Sequence, residues 1–225
     1  MTLLAVGHGS RDPRALAATR ALVRLVRSMR PELDIRLCFL DHAEPSLSRT
    51  LAQLDGPRPV VVPLLLSTGY HVKVDLAATG LPLARALGPH PLLAEALAHR
   101  LAEAGAPSHA PVVLAGAGSS DPAARADTAR TADLLAARLG RPVTPAYLSG
   151  HGPTPHQALA AHRAAAHPET ALATYLLAPG HFARRAADTP ATWTSAPLGA
   201  HPALARLVLH RYDEARARAL LPAAA

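Results

Sequence analysis

Cysteine is almost absent from this 225-residue chain, and so are lysine and the aromatics; each scarcity removes a class of function. Cys38 stands alone, which excludes a disulfide framework, a CxxC zinc site and a cysteine-held iron–sulfur cluster. Its place in an apolar run predicts a core position. Aromatic residues make up 3% and apolar residues 49%, so the cores must be built from Leu, Val and Ala. No basic patch is interleaved with aromatics, and the arginines scatter over helix faces, as Arg20, Arg24 and Arg27 do, which argues against nucleic acid as a partner. Lys73 is the only lysine, so the formal charge of +7 rests on arginine. An anionic partner fits that charge, and an Ala/Arg/Pro-rich composition bias fits it equally well. The chain has no run of about 18 apolar residues and no basic N-terminal segment followed by a long apolar one, so no membrane association and a cytoplasmic location are expected.

What is present is a rhythm, written twice. Short apolar runs alternate with helix-period segments: strands are predicted near 2–6, 35–39, 59–66 and 83–87, and helices near 13–29, 45–54 and 91–104. "GAPSHAP" at 105–111 interrupts the pattern, after which strands are predicted near 111–116, 142–148, 170–177 and 192–196. "LLAVGHGSRDP" (3–13) matches "VVLAGAGSSDP" (112–122), and "LGPHPLLAEALAHRL" (87–101) matches "LGAHPALARLVLHRY" (198–212). The fold expected is therefore α/β: two tandem doubly wound, flavodoxin-like domains, 1–106 and 107–225, with parallel sheets and a cleft between them.

The duplication also separates scaffold from chemistry. Asp12–Pro13 and Asp121–Pro122 recur, as do His90–Pro91 and His201–Pro202, and each pair reads as a helix start. Three polar groups do not recur. His8 is replaced by Ala117, Asp41 by Ser149 in the match of "FLDHAEPS" to "YLSGHGPT", and His71 by Phe182 in that of "LLSTGYH" to "LLAPGHF", with His181 one place early. Each of the three follows a different strand, and ligands of open parallel sheets bind where such strand-end loops converge. His8, Asp41 and His71 are thus expected near one another.

Two imidazoles and a carboxylate can hold a late divalent ion loosely, leave coordination positions open and accept protons near neutral pH. A metal-dependent hydrolase would use the same groups, although no HExxH motif is present. "GHGSR" is neither a nucleophile elbow nor, read on to Asp12, a dinucleotide-binding loop. A noncatalytic carrier of metal or ring also remains open.

"GHGSRDPRA", "FLDHAEPSL", "VVPLLLSTGYHVKVDL" and "ALGPHPLLAEAL" closely resemble the sirohydrochlorin chelatases of the CbiX/SirB type, in their long two-domain form. The likeness spans nearly the whole chain, with specific motifs in the first half and degenerate ones in the second. It implies a lyase that inserts Fe²⁺ or Co²⁺, as substrate metal and with no tightly bound cofactor, into sirohydrochlorin, a polycarboxylate tetrapyrrole on the route to siroheme or cobalamin. It also implies that His8 and His71 handle the metal, with Asp41 at a position where the family carries glutamate and Glu44 as a nearby second carboxylate. Arg11 and Lys73 would pair with ring carboxylates, while Ser10, Ser67 and Thr68 would donate hydrogen bonds. The second domain would form the opposite wall of the cleft.

Overall fold

A computed structural model describes residues 1–54, 56–69 and 71–221, with side chains for all of these except 71–73. The first half runs β1 (Leu3–Gly7), α1 (Pro13–Met29), β2 (Ile35–Phe39), α2 (Leu47–Ala52), β3 (Val60–Pro63), a π-helical turn (His71–Leu76), a 3₁₀ turn (Ala77–Thr79) and α3 (Pro91–Glu103). The second runs β4 (Val112–Gly116), α4 (Pro122–Leu139), β5 (Val143–Tyr147), α5 (Pro155–Ala164), β6 (Ala171–Tyr175), α6 (His181–Ala187), β7 (Trp193–Thr194) and α7 (Pro202–Leu220). Both sheets are parallel, in the orders β2-β1-β3 and β5-β4-β6-β7.

Strands covered on both faces read as unbroken apolar runs. "LLAVG", "VVVP", "VVLAG" and "ALATY" are buried throughout, whereas the edge strand β2 exposes Arg36. Helix starts follow the duplicated signals. Asp12 and Asp121 accept backbone N–H bonds from Arg14 and Ala123, and His90 and His201 accept them through Nδ1 from Leu92 and Ala203. In all four cases proline occupies the first helical position, where its missing N–H costs nothing.

The expected strand at 83–87 is a correction. Val61 N–H donates to Pro82 O and Ala84 N–H to Val61 O, each at 2.8 Å, and the pairing amounts to a single bridge at Leu83. A Leu/Ala run behind a proline lacks both the β-branched side chains and the amide donor that would extend a ladder. Its counterpart β7 is only two residues long.

Strand periodicity assigns the core. Leu3 and Ala5 of β1, with Val112 and Leu114 of β4, point into one central cluster shared by both halves. Leu4 and Val6 point to an outer cluster with Cys38 and Leu76, and Val113 and Ala115 to another with Leu159 and Ala186. The central layer is made of α1, α3, α4 and α7, and its last helices cross over. Helix α7, from the second half, packs on β3 and α1, while α3, from the first, packs on β6 and α4.

The duplicated "HP…HR" segments hold this exchange together. Arg100 on α3 donates through Nε and Nη2 to the Leu198 carbonyl, at 3.2 and 2.9 Å, and pairs with Glu103. Arg211 on α7 donates to the Leu87 carbonyl at 3.1 Å and pairs with Glu214 at 2.9 Å. His201 faces His99 with 3.0 Å between ring nitrogens, and the His90 and His210 rings lie 5.1 Å apart. The histidines and arginines of the repeated motif therefore serve the junction between lobes. Among the described residues no helix is long and apolar enough to cross a membrane.

Candidate active site

The carboxyl ends of the two sheets border one cavity of about 530 Å³. The loops after β1 (His8 to Ser10) and β3 (Leu64 to Ser67) form one wall, and those after β4 (Ala117 to Ser119) and β6 (Leu176 to Phe182) form the other. Apart from the imidazoles and hydroxyls, the lining is mainly Leu, Ala and Gly. That surface suits a mainly apolar ligand held by a few polar groups.

Gly9 determines how the first loop sits. It adopts φ +94°, and a Cβ there would fall 1.6 Å from the Asp41 carbonyl oxygen. With only hydrogen in that space, Leu40 N–H donates to Gly7 O (3.0 Å) and Asp41 N–H to His8 O (2.9 Å), so the β1–β2 contact continues past the strands. Gly118 repeats the arrangement against Ser149, at φ +91°. The glycine pattern is thus scaffold in both halves, and it presents His8 in one and Ala117 in the other. His8 is exposed on the cavity wall with Nδ1 3.3 Å from Gly9 O.

Ser10 also lines the cavity, and its Oγ accepts from Asp12 N–H at 3.0 Å, as Ser119 does from Asp121. Arg11 is exposed and lies outside the cavity lining. Asp12 carries a chelated pair with Arg14 (2.9 Å) and a longer contact with Arg184 of α6 (3.3 Å), which reaches across from the opposite lobe. The Arg14 guanidinium and backbone N–H hold the Asp12 carboxyl down to about 2, with Arg184 adding less. Arg14 and Arg184 remain largely exposed around the single Asp12 carboxylate, next in sequence to the lining residues Ala15 and Ala183.

Asp41 lies beside His8 through its backbone, but its carboxylate is directed elsewhere. One oxygen accepts His42 N–H at 2.8 Å and the other is 3.1 Å from His42 Nε2. His42 has φ +58°, unusual for a residue with a side chain, and its ring lies 6.5 Å from that of His8. This neighbouring imidazole had no counterpart in the sequence reading. Glu44 accepts Ser46 N–H at 2.9 Å, just ahead of α2.

Ser67 lines the cavity; Thr68 does not, and its backbone N–H donates to Asp127 of α4 at 2.9 Å. Tyr175 Oη donates to the Leu66 carbonyl at 2.9 Å and accepts from Thr131 at 3.3 Å, and burial pushes the phenol far above its usual range. Asp127 and Tyr175 of the second lobe therefore hold the β3 loop of the first. Asp127 is buried and stands opposite Ala18 when the strand-one matches are extended, so the same half-against-half comparison would have exposed it had it been carried into the helices. The side chains of His71 and Lys73 lie outside the described residues; the His71 backbone begins the π-helical turn.

The pairing of His71 with Phe182 keeps the register of the loop roots. Leu87 N–H donates to Leu65 O and Leu198 N–H to Leu176 O, both at 2.9 Å, which equates the roots of the two loops. The two spans are equal in length, so His181 sits one place before the position of His71, and each histidine is the first residue of a helical segment. His181 is exposed on the second wall of the cavity, so that wall keeps one imidazole. Cys38, as expected, is buried, and desolvation pushes its thiol up to about 12.

A family model described as CbiX matches residues 2–104 and again residues 111–215. The sirohydrochlorin ferrochelatase of Bacillus subtilis (strain 168) is 28% identical over 239 residues, spanning 96% of this chain and 92% of its own. A sirohydrochlorin cobaltochelatase of Priestia megaterium is 28% identical over 157 residues, 60% of this chain and 50% of its own. The solved structure of SirB from Bacillus subtilis with Fe³⁺ superposes with a TM-score of 0.82 at 27% identity, covering 97% of both chains. Two sheets meeting at one cleft, and a family match repeated over both halves, place this chain in the CbiX family.

Proposed function

We propose that the protein is a sirohydrochlorin chelatase, a lyase that inserts Fe²⁺ or Co²⁺ into the metal-free tetrapyrrole. The observation that carries this reading is the cleft itself: a largely apolar cavity between the two sheets, with His8 on one wall and His181 on the other. A macrocycle in that space would bury its apolar faces against Leu64, Leu66 and Leu176 and leave its carboxylates at the edge. There Arg11 and Lys73 are candidates for charge-assisted pairing, and Ser10, Ser67 and Thr68 for weaker hydrogen bonds.

Insertion removes water from the metal, forms nitrogen–metal bonds and releases two pyrrole protons. In this reading His8 and His71 replace departing waters as borderline ligands, and the ion is a substrate that passes through rather than a resident cofactor. Loose coordination serves turnover, because an ion held tightly would not transfer to the ring. Asp41, whose carboxylate holds His42, would act on the site through that imidazole, with Glu44 as the second carboxylate of the same loop. Residues 1–106 would carry the metal-handling groups and 107–225 the facing wall. A water-soluble polycarboxylate substrate fits a cytoplasmic enzyme.

The test follows the absorbance of sirohydrochlorin under anaerobic conditions with Fe²⁺ or Co²⁺, comparing the native protein, His8→Ala and a protein-free control. Acceleration by the native protein and its loss in His8→Ala are expected. Ring binding without acceleration would make the protein a carrier and overturn the enzymatic reading.

A further inference from the structure

We infer that His181, on the wall opposite His8, is the base that accepts the pyrrole protons from the face of the ring away from the incoming metal. The inference rests on the chelatase reading above and adds a catalytic residue to it. Two observations place the imidazole. His8 and His181 line the same cavity from loops of different lobes, and Arg184, one turn along α6 from His181, contacts Asp12 in the loop that carries His8. Helix α6 thus stands across from the His8 loop, and a ring filling the space between them presents one face to each imidazole. His181 is the first residue of α6, at the end of the loop after β6, as His71 is the first residue of the turn that follows β3.

The chemistry needs a group on that side. An ion approaching one face draws the nitrogen lone pairs toward itself, and the two remaining N–H bonds tilt to the other face. As each nitrogen–metal bond forms, an N–H bond breaks and its electron pair stays on nitrogen. The proton passes to the imidazole of His181, which is exposed and returns it to solvent before the second transfer. The overall balance is one divalent ion in and two protons out, with no change of oxidation state. A base on the metal's own side would compete for the ion, so dividing the imidazoles between walls separates the two tasks.

The experiment compares native protein, His181→Ala and His181→Gln in Co²⁺ insertion into sirohydrochlorin, with Co²⁺ binding to the ring-free protein measured in parallel. The expected result is a kcat lowered about a hundredfold in both variants, the scale of a positioned general base. KM for Co²⁺ and binding of Co²⁺ alone should stay unchanged, and added free imidazole should restore part of the rate to His181→Ala. An unaltered kcat, or a raised KM with kcat retained, would overturn the inference while leaving the chelatase reading intact. A native protein unable to accelerate insertion would overturn both.

Discussion

Single residues divide between those visible in the duplication and those that contacts alone reveal. His8 stood out because its counterpart is alanine, and Gly9 because both copies need the same turn. Asp127 was not singled out, since its role depends on a contact between lobes. Asp127→Ala would leave the Thr68 N–H without its partner, at a cost of about 1–3 kcal/mol. Chemical denaturation should show that loss, and insertion by the folded protein should slow because the Ser67 loop is no longer held; full activity with unchanged stability would refute the positioning role. His42 was missed for a different reason: nothing in a sequence signals a positive φ on a histidine or the 6.5 Å between its ring and that of His8.

At the scale of elements, most strands and helices were legible because buried parallel strands are continuous apolar runs and the helix starts carry Asp–Pro or His–Pro signals. The run at 83–87 was overread, since apolar content cannot distinguish a strand from a buried connection. The histidine caps have a pH consequence. Ala203 N–H donates to His201 Nδ1, so the neutral ring carries its proton on Nε2 and donates to His99 Nδ1; protonation removes the cap acceptor. Burial, aided by Arg100 and His99, lowers the His201 pKa from the usual 6.5, and burial with Arg211 and His210 lowers that of His90. Glu103 and Glu95 near His201, and Glu214 near His90, act in the opposite sense, while Arg85 adds to the lowering at His90. Because the folded state refuses protons that the unfolded chain accepts, the contribution of these caps is complete above about pH 6.5 and is lost as pH falls through the lowered values. Urea melts at pH 7.5 and 5.5 should show this loss, and His201→Asn, which keeps a cap acceptor, should reduce it. An equal loss in the variant would remove His201 as the cause.

For the whole molecule, the two-lobed plan was readable from the repeat, but the exchange of α3 and α7 was not. Sequence similarity says which helices are equivalent and leaves open which sheet each one covers. One central cluster joins both halves, so a single calorimetric transition is expected rather than two. Arg211→Ala should lower its stability on the order of 3 kcal/mol, because the Leu87 carbonyl and Glu214 both lose a buried guanidinium partner. Two separated transitions would contradict the shared core. The same exchange joins the two cleft walls into one body, so the proposed ring site would be a single preorganised slot. The most direct measurement is a crystal structure of the protein with metal-free sirohydrochlorin. It should show the ring between the lobes, with His8 toward one face, His181 toward the other and the carboxylates at the cleft edge. A ring bound on an outer sheet face, away from both imidazoles, would contradict the account.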